Sequence, residues 1–522
     1  MQRIYSRRYG NGFATCLAAV VTAVIAGTAV AQTTTDVVVP VLPIPQQPFA
    51  QPVPDFIGEP ATAHPISAKP VPEDPFLAAN GRSGIHLDAY QSDTYPFSGP
   101  LGHSPEVTST FLFAECGTVT FDKKGRINMV CFSRSGPVLR LHDPNTLETL
   151  ATFALPAGTS GQSDFSAGGY FFLDQNDRTV IPTRTRDIWR IKESGIGYAL
   201  DHTCASDLPG LIPEDQSILS TLPDSNGLLW FTTSGGDDPS EEPALVGTAR
   251  PDPNNDTHCT AKVYTLPSGE SISKSFAVDP DPSRGGVFIV SDHQLYRFDA
   301  AADGTPLLTW HEKYDRGVRI KPGQIQQGSG TTPTLMGTGF ITITDNASPQ
   351  MHVLVYRRGA KIHKPRLVCE VPVFQPFASA TENSLIATNR SISVENNFGY
   401  RSLLSTVFGG TTEPGITRID LDDDNDSCNI VWTSEEIVPN VVSQVSLATG
   451  LEYTYTKDAG PDATDAWYFT AIDFRTGRTV YKRLAGTGIL YNSNYSGVYL
   501  GPDGKTAYVG VLGGLVRIHE ER

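Results

Sequence analysis

A chain of 522 residues is long enough to bury a large core without needing metals or crosslinks to fold. Its 48 glycines and 39 prolines, set against only 18% charged residues, favour turns over long exposed helices and exclude collagen, coiled coil and wholesale disorder. The net charge of −16 becomes −19 once a leader holding Arg3, Arg7 and Arg8 and no acid is removed, and a surface so acidic excludes nucleic acid as a partner.

Residues 1–31 read as a signal peptide: a basic start, an apolar run from Phe13 to Val30, and a small-residue exit at Ala29-Val30-Ala31, with cleavage expected after Ala31. Arg7-Arg8 hints at twin-arginine export, but Tyr9-Gly10-Asn11 lacks the apolar pair such signals prefer, so both export routes stay open. Cys16 lies inside the apolar run and makes a poor lipoprotein signal. No later segment could span a bilayer, so a periplasmic or secreted monomer is expected. Residues 32–84 follow as an extended tether, with 11 prolines among the 36 residues from Pro40 to Pro75. Residues 85–522 form the folded domain.

In that domain one figure recurs: an apolar strand, a tight turn and a second strand. It opens at Thr118-Val119-Thr120-Phe121, Asp122-Lys123-Lys124-Gly125 and Arg126-Ile127-Asn128. Later copies turn near 176, 225, 284, 338, 382 (Glu382-Asn383), 449 and 503, so eight units span 379 residues in seven intervals of about 54. Third strands are read at Val138–Leu141, Ile188–Ile191, Lys262–Tyr264, Leu295–Phe298, Val353–Tyr356 and Ile416–Ile419, and fourth strands at Leu307–Trp310 and Asn429–Trp432. Four antiparallel strands repeated about an axis are the blades of a propeller. The last unit runs out after three strands, at Leu515–Ile518. A strand within 85–113 is therefore expected to supply its outer member and close the ring. The predicted fold is an all-β propeller of eight four-stranded blades, with seven as the alternative.

Six cysteines remain after the leader, an even number in an oxidising compartment. If residues 122–125 form a tight turn, paired positions sum to 247, which sets Cys116 opposite Cys131. Cys204 with Cys259 and Cys369 with Cys428 are paired by proximity in sequence. Zinc ligation has little support, since no two cysteines lie two to four apart.

The segment Ala471-Ile472-Asp473-Phe474-Arg475-Thr476-Gly477-Arg478-Thr479-Val480-Tyr481 resembles the A-x-D-x-x-T-G-x-x-x-W repeat of quinoprotein-type propellers, with Tyr481 in place of tryptophan. Asp143-Pro144-Asn145-Thr146 is a weaker copy. Leu222-Pro223-Asp224-Ser225-Asn226-Gly227-Leu228-Leu229-Trp230-Phe231 is similar to blades of streptogramin-lyase and SMP-30/gluconolactonase-like propellers. These stretches are turn chemistry: aspartate caps the turn, glycine takes positive φ, and the aromatic wedges between blades. The resemblance implies the fold and says little of function.

With strands lettered A to D from axis to rim, B–C and D–A connections share one face and A–B and C–D turns the other. The B–C face is expected to gather Arg134, Arg184, Arg186, Asp187, Asp237, Asp238, Asp292, His293, Asp345, Asn346, Asp458 and Asp462. A long sixth-blade connection adds Arg390, Glu395, Asn396 and Asn397. The principal reading is a secreted propeller that binds a small molecule or partner at this channel mouth, with Arg186, Asp187, Arg390, Thr331 and Thr332 touching the ligand. The alternative is a metal-assisted hydrolase, lactonase or lyase. There Asp292, Asn346, Glu395, Asn396 and Asn397 hold a calcium-like ion, and His293 and Asp345 act in catalysis. A quinoprotein oxidoreductase is the second alternative, with pyrroloquinoline quinone (PQQ) disfavoured by the lack of adjacent cysteines. Glu382-Asn383 is placed by the repeat on the opposite turn face, and Asp422–Asp426 is read as a solvated hairpin turn without the glycine and glutamate of an EF-hand.

Overall fold

The computed structural model describes residues 41–156, 169–195, 197–422 and 424–521. The signal peptide with its cleavage site, the start of the tether, and Asp423 lie outside the described residues.

The chain folds into eight four-stranded antiparallel blades arranged in a ring. Blade 1 comprises Glu115–Phe121, Ile127–Ser133, Gly136–His142 and Thr149–Ala154. Blade 2 comprises Phe172–Leu173, Thr179–Pro182, Ile188–Ser194 and Gly197–Thr203, and blade 3 Ile218–Pro223, Leu229–Thr233, Leu245–Pro251 and Cys259–Thr265. Blade 4 comprises Ala277–Val278, Val287–Val290, Gln294–Ala300 and Pro306–Lys313, and blade 5 Thr334–Met336, Phe340–Thr344, His352–Arg357 and Leu367–Pro372. Blade 6 is built from Ile386–Ala387, Ser391–Glu395, Ile416–Asp422 and Ser427–Ser434, and blade 7 from Gln444–Ser446, Leu451–Thr456, Ala466–Asp473 and Thr479–Thr487. Blade 8 holds Val498–Leu500, Thr506–Val511 and Gly514–His519. Its outer strand is Glu106–Phe111, which pairs with Gly514–His519 over its whole length and closes the ring as the sequence predicts.

Burial explains the strand sequences. Strands B and C are covered on both faces by neighbouring blades and read as near-continuous buried runs, as in Thr506–Val511. Rim strands keep one wet face and alternate, as Thr149–Ala154 does. At Gly477 (φ +74) the carboxylate of Asp473 accepts the N–H groups of Arg475 and Thr476, and any Cβ would strike the Trp432 ring.

All three disulfides pair as expected: Cys116–Cys131 across strands A and B of blade 1, Cys204–Cys259 between blades 2 and 3, and Cys369–Cys428 between the rims of blades 5 and 6. The first stands on a corrected register. Next to the turn, partners are Phe121 with Ile127 and Val119 with Met129, a sum of 248; a bulge after Cys116 lowers it to 247 at the cysteines.

Three readings are corrected. In blade 6 the A–B turn is Thr388–Arg390, not Glu382-Asn383, so Arg390 moves to the A–B face and Glu382 and Asn383 move to the connection entering strand A. Lys262–Tyr264 belongs to the fourth strand of blade 3, the third being Leu245–Pro251. The proline-rich segment is extended but lies along the ring. Phe56–Gly58 pairs outside Thr479–Thr487 as a fifth strand, Ile44 N–H donates to Ser109 Oγ at 3.0 Å, and His64 N–H donates to Thr449 O at 2.7 Å. Proline lacks a donor, but the residues between prolines still pair along an open strand edge.

Candidate functional site

The inner strands of a propeller leave one edge facing the axis, with backbone groups that need partners. Here the chain itself supplies them. Residues 77–97 run from blade 2 to blade 7 along the inner strands. Leu173 N–H donates to Ser83 O (2.7 Å), Val278 to Ala89 O (2.8 Å), Leu335 to Tyr90 O (3.0 Å), Ala387 to Ser92 O (2.9 Å) and Val445 to Asp93 O (3.0 Å). Thr94–Tyr95 then pairs in parallel with Gln444–Ser446. This inner strap was missed because it carries no periodic pattern. Its visible signal is polar crowding at His86, Asp88, Gln91, Ser92 and Asp93, all buried.

The strap is fastened by a polar network. His86 Nδ1 lies 3.1 Å from Asp93 Oδ1 and 3.0 Å from Ser384 Oγ, Ser384 Oγ donates to Asp93 Oδ2 at 2.6 Å, and Gln444 Nε2 donates to Asp93 Oδ1 at 3.0 Å. Serine, histidine and aspartate meet here, but Ser384 and Asp93 share one ring nitrogen, whereas a nucleophile relay needs the base between them. Thr332 Oγ1 stands 3.4 Å from His86 Nε2, yet Thr332 is only 2% exposed. The adjoining cavity, lined by His86, Tyr170 and Ser275, holds about 20 Å³, room for a single water.

On the side of the D–A connections, Lys274 pairs with Glu382 across the channel, both buried, and Glu382 N–H donates to Asn397 Oδ1 at 2.9 Å. Glu395 accepts from Asn383 Nδ2 (3.0 Å) and Ser443 N–H (3.1 Å); burial raises its carboxyl to about 7. Nearby, Tyr400 Oη donates to Asn494 Oδ1 at 2.9 Å, and Asn494 Nδ2 donates to Glu115 Oε1 at 2.6 Å. Burial raises Glu115 to about 8.

The remaining expected ligands are mostly engaged in holding loops. Asp187 accepts from the N–H groups of Ile188 and Cys204 and from Trp189 Nε1. Arg186 donates to Ile212 O at 3.0 Å, and Thr331 Oγ1 accepts from Thr344 N–H. Asp292 accepts from Ser271 N–H (2.8 Å) and pairs with Arg316 (2.6 Å) and His293 (3.0 Å). Asn346 Nδ2 donates to the carbonyls of Arg316 and Arg319. Asn396 donates to Ala378 O and Pro414 O, and Asn397 to Val438 O. Asp345 accepts from His352 N–H at 2.6 Å and pairs with His352 Nδ1 at 2.7 Å. Among the described residues no cluster of three His, Cys, Asp or Glu ligand atoms within 4.8 Å of one another contains Asp292 or Glu395.

Fold and site together define an eight-bladed propeller whose axis is lined by its own chain. No protein-family model matches the chain. It belongs to the family of an uncharacterized protein of Archaeoglobus fulgidus, to which it is 30% identical over 389 residues, covering 69% of this chain and 70% of that protein. Among solved structures it is similar to BamB of Moraxella catarrhalis (TM-score 0.45, 12% identity, 85% of this chain and 100% of that one). It is also similar to the Dos1 propeller (TM-score 0.49, 11% identity, 78% and 92%). The propeller assignment rests on the strand pairing described above. Among the described residues no helix is long and apolar enough to cross a membrane.

Proposed function

We propose that the chain is an extracytoplasmic binding propeller that docks a protein partner on the face made by its B–C and D–A connections. One observation carries the reading. The four most exposed phenylalanines, Phe49 (98%), Phe113 (74%), Phe377 (74%) and Phe408 (81%), all lie at this face, and all four have left-handed backbone, with φ between 52° and 68°. An exposed aromatic ring loses the hydrophobic effect, and a non-glycine residue at positive φ costs about 1–2 kcal/mol, so each position bears two penalties that recognition of a partner would offset.

The surroundings agree. Val318, Ile325 and Leu404 are exposed on the same connections, while among the described residues no A–B or C–D turn carries an exposed large apolar side chain. The polar residues of this face are engaged in shaping its loops, the inner strap lines the axis, and the Lys274–Glu382 pair ties together the connections into blades 4 and 6. A flat apolar contact with a protein therefore fits better than a small molecule held in the channel. Three disulfides suit an oxidising compartment.

The test is affinity capture from extracytoplasmic extract of the producing cells, comparing the native chain with a Phe377→Asn/Phe408→Asn variant and with Lys124→Glu on the opposite face. A partner retained by native protein and by Lys124→Glu, but lost with the double variant, supports the reading. Equal capture by all three defeats it.

A further inference from the structure

The sheet register of blade 5 brings together three metal-ligating side chains that the sequence reading did not group. Thr344 pairs with Val353, so Asp345 falls opposite His352: the Asp345 backbone N–H donates to His352 O at 3.0 Å, and the His352 backbone N–H donates to the Asp345 side chain at Oδ1, 2.6 Å away. On the next strand His352 faces Pro372 and Leu354 faces Glu370, which sets Glu370 diagonally beside His352 on the same face. Asp345 Oδ1 is occupied by the N–H groups of His352 and Ala347. The carboxylate is thereby locked, with Oδ2 turned to His352 Nδ1 at 2.7 Å. Glu370 Oε1 lies 3.4 Å from the same nitrogen, and the three ligand atoms all fall within 4.8 Å of one another. Asp345 is buried, His352 23% exposed and Glu370 48% exposed, so the cluster has a fixed floor and an open side.

We propose that Asp345 Oδ2, His352 Nδ1 and Glu370 Oε1 form a binding site for a divalent transition cation of the zinc class. One imidazole nitrogen and two carboxylate oxygens, held by three adjacent strands, form a donor set that zinc accepts; the imidazole favours zinc over calcium or magnesium. The two backbone donors on Asp345 Oδ1 act as the orienting outer shell that such sites use. Three protein ligands leave a fourth tetrahedral position for water on the open side. The Cys204–Cys259 pair beside His202 is no rival, because both sulfurs are committed to a disulfide. The site lies at the B–C end of blade 5, on the face that carries the exposed phenylalanines, and does not rest on the docking reading.

The experiment uses untagged mature protein, stripped with chelator, loaded with zinc chloride, desalted and assayed for metal, with cobalt(II) absorption as a second reading of the ligands. Native protein is expected to retain one zinc per chain. Glu370→Gln, at a half-exposed position that leaves the fold intact, and His352→Gln are each expected to weaken binding by about tenfold or more. Thermal melting without metal establishes that both variants are folded. Native protein that retains no zinc, or folded variants that bind as tightly as native, overturns the site.

Discussion

The ammonium of Lys274, on the connection into blade 4, and the carboxylate of Glu382, on the connection into blade 6, form an ion pair across the channel, their side chains 6% and 1% exposed. Burial raises the Glu382 carboxyl, and the lysine opposes that shift. Removing one partner strands the other charge. Lys274→Met is therefore expected to destabilise the protein by about 3–5 kcal/mol, while Lys274→Met/Glu382→Gln recovers most of that loss. Denaturant midpoints with an unchanged m-value provide the check; a double variant no more stable than Lys274→Met alone would contradict the expected recovery.

The strained phenylalanines predict a gain of stability where function is lost. Asparagine tolerates left-handed backbone better than phenylalanine, and the Phe408 ring is 81% exposed. Phe408→Asn is expected to raise stability by about 0.5–1 kcal/mol, seen as a higher melting temperature. A drop in melting temperature would mean that the ring packs against its own loop.

Stability should fall from pH 5 to pH 8.5. Burial raises Glu452, ordinarily near 4.5, to about 8, while Ser393 Oγ donates to it. Between those values the folded protein holds a proton that the unfolded chain has lost, so stability declines through the window and levels off above it. Glu115, raised to about 8, and Asp88 and Glu395, raised to about 7, act in the same direction, all by burial. His142, lowered to about 4 by burial, opposes them up to its ordinary value of 6.5. Glu452→Gln keeps an acceptor for Ser393 and removes the titration. It should match native stability at pH 5 and exceed it at pH 8.5 by roughly 1–3 kcal/mol. An equal difference at both pH values would refute this.

Disulfide loss should scale with the loop each bridge closes. Cys204–Cys259 spans 55 residues and Cys116–Cys131 spans 15. Replacing the first pair by alanine is expected to cost about 4 kcal/mol and the second about 3. Urea unfolding of the two double variants tests the order.

The propeller was legible because hairpin chemistry is local: Asp224 capping its own turn and Gly227 at φ +76 leave their mark within four residues. The closing strand followed from counting, since blade 8 lacked a fourth member. Blade 6 was misread because Glu382-Asn383 resembles a turn and lies before Ser384–Ala387, whereas the true turn at 388–390 lacks glycine; placing it near 389 also evens its distances from the turns at 338 and 449. The inner strap was not legible, because its bonds run to backbone groups of distant strands, which impose no side-chain pattern. The grouping of Asp345 with His352 and Glu370 depends on the pairing of three strands, and the partner of Asp345 was therefore invisible until the register was known.

The docking account is tested most directly by photo-crosslinking in the producing cells, with benzoylphenylalanine placed at Phe377 or Phe408 and, as a control, at Lys124. A discrete adduct with the same protein is expected from both phenylalanine positions and none from the lysine. Adducts from Lys124 with that same protein, or no adduct at either phenylalanine, would contradict it.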